Sequence, residues 1–280
     1  MQVMRFAVCN EMFDKWAHTG IAAKVRAIGY HGVELAPFTF GSDPGRMRPS
    51  EVREIREAYE DAGLDIVGLH WLLAKTQGMS INSPDEAVLD RTGEYLRVLL
   101  SLCSDLGGQL MVFGSPAQRN LAPGQSFEDA FARATRLFRR LAAAAGTTGV
   151  TVAFEPLTKA ETNFINTMHE GVRLVEAVAH ANFRLHLDVK AMRGAEARSP
   201  AETILAEGGR YLHHFHANDP NLLGPGMGGE DFAPIASALN AVGYDRWVSV
   251  ETFAAGPGPE ETARRSLETL KNAFGGTHAH

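Results

Sequence analysis

Thr151-Val152-Ala153-Phe154-Glu155 alternates apolar and other side chains and closes on a carboxylate. A strand alternates its side chains with period two, so Val152 and Phe154 share one face while Thr151, Ala153 and Glu155 share the other. Phe183-Arg184-Leu185-His186-Leu187-Asp188 repeats the rule, with His186 and Asp188 on one side. So do Leu212-His213-His214-Phe215-His216 and Trp247-Val248-Ser249-Val250-Glu251. Each terminal group points away from its strand's greasier face. Three carboxylates and one imidazole aimed at a single point repel one another unless a cation joins them. The four runs therefore predict consecutive strands whose ends meet around a divalent metal.

Working outward, strand-like runs occupy 5–9, 32–35, 65–70, 109–113, 150–155, 184–188, 212–217 and 247–251. Helical periodicity fills 20–28, 49–62, 85–106, 127–145, 169–180, 200–207, 232–242 and 260–274. Ser83-Pro84-Asp85-Glu86 and Ser199-Pro200-Ala201-Glu202 place Ser at an N-cap, Pro in the first turn and Glu three residues on. Thr167-Met168-His169-Glu170 is a further capping box, and glycines 29, 63, 107, 149 and 243 fall at helix ends. Eight β/α units of this length predict an α/β fold, a (β/α)8 TIM barrel, as one domain over 1–280. An open doubly wound sheet is the alternative, but Cys9-Asn10-Glu11-Met12 stands where its Gly-rich phosphate loop would be. In a barrel all C-terminal strand ends open on one face. Glu155, Asp188, His216 and Glu251, ending strands five to eight, would surround half of that mouth.

The apolar and charged fractions, 45% and 21%, are those of an ordinary globular protein. A net charge of −6 argues against nucleic acid as a partner. No apolar stretch is long enough to span a bilayer, and the first residues read as a strand rather than a signal peptide. Cys9 and Cys103 lie in apolar patterns and read as buried free thiols, not a disulfide. A cytoplasmic location is expected. His278-Ala279-His280 reads as a frayed tail.

Mixed carboxylate and imidazole ligation suits Mn²⁺, Mg²⁺, Co²⁺ or Zn²⁺. Manganese is preferred, because three hard oxygen ligands leave room for two oxygens of a substrate. The segment from Glu155-Pro156 through Glu161 to Asn166-Thr167 is followed in order by His186-Leu187-Asp188 and His214-Phe215-His216-Ala217-Asn218-Asp219. Gly224-Pro225-Gly226 with Asp231, then Ser249-Val250-Glu251-Thr252-Phe253, complete the series. This set resembles the xylose-isomerase-like sugar phosphate isomerase/epimerase superfamily, in particular its ketose 3-epimerases of the D-tagatose and D-psicose type.

The resemblance implies that Glu155, Asp188, His216 and Glu251 ligate one divalent ion, with Glu155 and Glu251 doubling as the acid/base pair. It implies that Glu161 holds substrate hydroxyls, that Phe253 lines the pocket, and that the chain forms a homo-oligomer, a dimer or tetramer. The chemistry stands on its own. A metal chelating adjacent carbonyl and hydroxyl oxygens acidifies the neighbouring carbon-bound hydrogen. One carboxylate removes that proton and the other returns one on the opposite face. The expected activity is an isomerase, a sugar epimerase or ketose–aldose isomerase, acting on a small sugar or polyol-derived ketone.

Two positions depart from the epimerase pattern. A His three residues after the metal-binding Asp is replaced by Ala191, and an Arg six residues after the metal His by Leu222. Lys190 is a candidate replacement donor to substrate, the alternative being a solvated loop lysine. These losses keep open a metal-dependent dehydratase or lyase of a keto-cyclitol or keto-sugar, like the superfamily's inosose and 3-dehydroshikimate dehydratases. A nuclease of the endonuclease IV type needs extra His ligands, absent at Ala191 and in Phe113-Gly114-Ser115. A non-catalytic binding protein would have little cause to keep a four-ligand site.

Elsewhere, His70, followed by Trp71, is a candidate substrate contact, with a hydrogen-bonded structural histidine as the alternative. Glu34 either lines the mouth or pairs with a loop Arg. His186 and His214 point inward one layer below the ligands, as core or supporting residues. Asn10, Glu11, Phe13 and Trp16 are expected to form a wall or lid. The Gly-rich 224–229 is expected to be a flexible loop, with Asp231 capping the next helix.

Overall fold

The eight alternating runs do form strands, and they close on themselves. The computed structural model describes residues 4–275 apart from Ser42, Gly208 and Ala255; the tail at 278–280 lies outside the described residues. The strands are β1 (Arg5–Cys9), β2 (Gly32–Leu35), β3 (Asp65–Leu69), β4 (Leu110–Phe113), β5 (Thr151–Phe154), β6 (Phe183–Asp188), β7 (Leu212–Ala217) and β8 (Trp247–Val250). All pair in parallel in chain order, and β8 returns to β1 with Phe6 opposite Val248. The helices are α1 (His18–Ile28), α2 (Pro49–Glu60), α3 (Glu86–Asp105), α4 (Phe127–Thr148), α5 (Met168–Val178), α6 (Val189–Ala195), α7 (Pro200–Glu207), α8 (Phe232–Ala241) and α9 (Pro259–Gly275). Among the described residues, no helix is long and apolar enough to cross a membrane.

Sequence reading missed α6. Its seven residues are too few to show a periodicity, and its start is signalled by Asp188 itself, whose Oδ1 accepts from the Ala191 N–H at 2.8 Å. Other differences are small. Glu155 and Glu251 are the first residues beyond their strands, and β3 stops at Leu69, which leaves His70 just outside it. The N-cap of α3 is Asp85 and not Ser83: its carboxylate accepts from Ala87 N–H at 2.9 Å, while Ser83 Oγ accepts from Asp85 N–H. A carboxylate interacts better with the helix N-terminus than a hydroxyl does. The boxes at Thr167 and Ser199 close as expected, each hydroxyl accepting from the third residue's N–H and each Glu accepting in return. Gly29 and Gly149, with φ of 105° and 73°, end α1 and α4 in the left-handed region, where a Cβ is strained.

Outward-facing aromatic residues join barrel to helices. Phe113 and Phe154 stack at 5.6 Å, and Phe138 of α4 sits 5.0 Å from Phe183. The barrel interior is divided. Ala7, Val67, Leu110, Val112 and Ala153 make an apolar plug on one side. On the other, β6–β8 fill the interior with His186, His214 and Ser249, all buried. Cys9 and Cys103 are free and buried. Backbones approach most closely at Gly68, where a Cβ would lie 1.9 Å from the Leu110 carbonyl oxygen. Neither strand has a flexible end to move. Gly68→Ala is expected to cost about 3 kcal/mol of stability by overpacking, read as a lower urea midpoint with an unchanged slope.

Candidate active site

Glu155, Asp188, His216 and Glu251 are no more than 3% exposed, so charge at the mouth has little help from water. Asp188, His216 and Glu251 each offer one ligand atom, and these atoms lie within 4.8 Å of one another. Glu155 stands outside that three-atom group. Its Oε2 leans over Gly114, where a Cβ would come within 1.9 Å of it. It remains close enough to feel the other acids. Burial first, then the charges of Asp188 and Glu251, hold the Glu155 carboxyl well above its usual range. Burial and Glu251 likewise push Asp188 up to about 6, against the pull of Lys190. Burial would raise Glu251 too, but His216 outweighs it and the carboxyl lies below its ordinary value. Burial and neighbouring charge thus drive the two glutamates in opposite directions at one site. Crowded, dry carboxylates beside an imidazole form a donor set that fits a divalent cation.

His216 is oriented from both sides. Its Nδ1 lies 3.2 Å from Glu251 Oε2, and its Nε2 lies 3.1 Å from Glu34 Oε2. Glu34 Oε1 is 2.5 Å from His214 Nε2. Burial alone would favour neutral His216; Glu34 and Glu251 outweigh it and keep the imidazole well above its usual value. Glu34 therefore pairs with neither a loop Arg nor solvent, but supports the site from β2. His186 lies 4.2 Å from the His216 ring, and burial and its two histidine neighbours hold it well below its usual range.

Asp188 is tied by both oxygens, Oδ1 to Ala191 N–H and Oδ2 to Asn218 Nδ2 at 2.5 Å. Asn218 Oδ1 accepts in turn from Lys190 N–H at 2.8 Å. Asn218 was overlooked as a site residue. Its signal was positional, two residues after His216 and on the same face.

Lys190 is buried, not solvated. Its Nζ sits 2.8 Å from Glu161 Oε1 and 4.1 Å from the centre of the Phe253 ring. Glu161 Oε2 accepts from Thr158 Oγ1 at 2.9 Å. Phe253 stacks on Trp71 at 5.7 Å. The structure thus brings Glu161, Lys190 and Phe253 together. His70 belongs to another wall: its Nε2 lies 2.8 Å from Glu11 Oε2, and its ring is 6.0 Å from His216. Leu222, with φ of 73°, gives its carbonyl to Phe253 and Ala254 N–H, stitching the loops after β7 and β8.

Of the expected wall from strand one, Glu11 faces His70, and Trp16, 38% exposed, lies edge-on to Phe13. Asn10 is spent on Thr39 Oγ1 and Ala36 N–H, and Phe13 is buried in the core. The Gly-rich 224–229 is pinned, not loose. Asp219 accepts from Met227, Gly228 and Glu230 N–H at 2.7–2.8 Å, and Asp231 caps α8 through Ala233 N–H.

Arg119 also escaped sequence reading, because Gln118-Arg119-Asn120 looks like a solvated loop. It is fully buried and donates to the carbonyls of Glu155 (2.6 Å), Phe113 (2.9 Å) and Ser115 (3.3 Å). Its guanidinium lies 4.5 Å from the Phe154 ring centre. Burial draws its pKa down to about 10. Arg119 fixes the ends of β4 and β5, and with them the backbone of Glu155.

Residues 22–273 match the family described as xylose isomerase-like TIM barrel, and the chain belongs to that family. It is 27% identical over 239 residues to an L-ribulose 3-epimerase of Methylomonas sp. (strain DH-1), covering 85% of this chain and 79% of that one. It is also 27% identical over 237 residues to a D-psicose 3-epimerase of Ruminiclostridium cellulolyticum, covering 82% and 76%. A crystal structure of D-psicose 3-epimerase in the presence of D-fructose superposes with a TM-score of 0.86 over 97% of this chain and 100% of that one. At 21% identity, that likeness is one of fold.

Glu34 meets the site through His216, whose Nε2 lies 3.1 Å from Glu34 Oε2. Glu34→Gln is expected to lower affinity for added Mn²⁺ by roughly 10–100-fold, measured by calorimetric titration with far-ultraviolet circular dichroism unchanged.

Proposed function

We propose that the chain is a divalent-metal-dependent sugar epimerase or isomerase that moves a proton next to a carbonyl, with Glu155 and Glu251 as the acid/base pair. The observation that carries this reading is the buried convergence of Asp188, His216 and Glu251, with Glu155 facing them. Similarity to proteins named L-ribulose 3-epimerase and D-psicose 3-epimerase supports the same class. Glu155, Asp188, His216 and Glu251 would hold the ion, with manganese preferred to magnesium, cobalt or zinc. When bound, it supplies positive charge that acidifies the hydrogen beside the carbonyl and stabilises the enediolate of the substrate.

The remaining work falls to side chains of this chain. One glutamate of the pair takes the proton from one face of the substrate carbon, and the other returns a proton from the opposite face, inverting the centre. Glu161 and the Lys190 ammonium, 2.8 Å apart, hold substrate hydroxyls. The Phe253–Trp71 stack offers an apolar face to the carbon skeleton, and His70 meets the substrate from the far wall. Lys190 supplies a donor where Ala191 and Leu222 lack the groups of the ketose 3-epimerases. The substrate class is a small sugar or polyol-derived ketone. Those same two departures favour one second reading, a dehydratase or lyase in which the enediolate expels a β-hydroxyl instead of being reprotonated.

In heavy water, turnover should place deuterium on the epimerised carbon. Glu155→Gln and Glu251→Gln are each expected to reduce turnover and deuterium uptake by about a thousandfold. Glu161→Gln should mainly raise KM. A ketose converted by the metal-loaded enzyme with no deuterium uptake would refute the proton-transfer reading. An ultraviolet-absorbing enone formed from a keto-cyclitol would select the lyase.

A further inference from the structure

Next to His216, at the ends of β1 and β3, lies a second cluster of metal-binding groups, and its Cys9 Sγ is 4.0 Å from His216 Nε2. Cys9 is the last residue of β1, Glu11 follows it in the 3-10 turn Asn10–Phe13, and His70 is the first residue beyond β3. One ligand atom from each lies within 4.8 Å of the other two. Cys9 and His70 are fully buried, and the Glu11 side chain is 9% exposed. Two polar atoms here are unspent: His70 Nδ1 and Glu11 Oε1 are buried and meet no hydrogen-bond partner. Buried polar atoms are seldom left that way, so unpaired ones in a ligand cluster point to something that binds them.

In two neighbouring groups of similar spacing, the carboxylate or two of the imidazoles are already engaged. In Cys9, Glu34 and His216, both Glu34 oxygens are taken by His214 and His216. In His186, His214 and His216, both His186 nitrogens are unpaired, but the Nε2 atoms of the other two are committed to Glu34, and His216 Nδ1 faces Glu251.

We propose that Cys9, Glu11 and His70 form a second cation site, selective for a thiolate-binding ion such as Zn²⁺ and adjacent to the site at Asp188, His216 and Glu251. A sulfur, a carboxylate oxygen and an imidazole nitrogen suit zinc, whereas the oxygen-rich set beside it suits a harder ion. Binding displaces the thiol proton of Cys9, and any second proton on His70, to solvent; thiolate and carboxylate then balance the dication. Three protein donors leave a coordination place for water or a substrate oxygen. The inference rests on this cluster alone and not on the epimerase reading.

The test is metal binding by the full chain, stripped with a chelator and titrated with Co²⁺. Two equivalents per chain are expected, one of them bringing a thiolate-to-cobalt charge-transfer absorption that added Zn²⁺ abolishes. Cys9→Ser removes that absorption and one equivalent; Cys103→Ser, the other thiol of the chain, removes neither. Asp188→Asn removes the other equivalent and leaves the absorption intact. Glu11→Gln and His70→Gln weaken the absorbing equivalent at least tenfold, and they carry the test if Cys9→Ser does not fold. A single equivalent without thiolate absorption in the unaltered chain overturns the proposal. So does absorption that survives in Cys9→Ser, or is undiminished in both other variants.

Discussion

The imidazole of His216 joins three strands. It projects from β7, reaches Glu34 of β2 with Nε2 and faces Glu251, just beyond β8, with Nδ1. All three groups are buried, and a charge of that kind left alone in a dry interior would be heavily penalised. Each shifts the others: Glu34 and Glu251 lie low and His216 high. Only a closed barrel brings β2 and β7 face to face across an interior. Ring closure between β8 and β1 is therefore a condition for this cluster and not merely a frame for it.

The same interior shows what the site costs. Beneath β3–β5 the barrel is plugged by Val67, Leu110, Val112 and Ala153, the ordinary filling of such folds. Beneath β6–β8 it holds His186 and Ser249, whose polar side-chain atoms are buried without partners, together with His214, which leans on Glu34. Hydrophobic packing there is replaced by a column of imidazoles. Burial keeps His186 neutral beneath His216, so a second positive charge does not compete with the first.

The barrel was legible because two periods alternate along the chain with little interference: period two in the strands, and 3.6 in the helices between Pro, Gly and capping boxes. The helix α6 was not, since a turn nucleated by Asp188 leaves no long pattern. Of the site, the residues at or just past strand ends were legible because alternation tells which way they point. Glu161 and Phe253 rested on resemblance and Lys190 on a departure from it, and the three do lie against one another. Glu34, Asn218 and Arg119 needed the folded chain. Their partners are 182, 30 and 36 residues away, and no local pattern distinguishes a buried Arg that binds carbonyls from one in solvent.

Gly114 separates folding from chemistry. The nearest atoms to a methyl group there belong to the side chain of Glu155, Oε2 above all. Glu155 has rotamers to spare, so an alanine chain can pack and simply swing that carboxylate aside. Libraries screened for solubility and for turnover would then rank the same substitution at opposite ends. With Glu155 in the acid/base role proposed above, position 114 is where a thermostabilising campaign blind to catalysis would silently disable the protein.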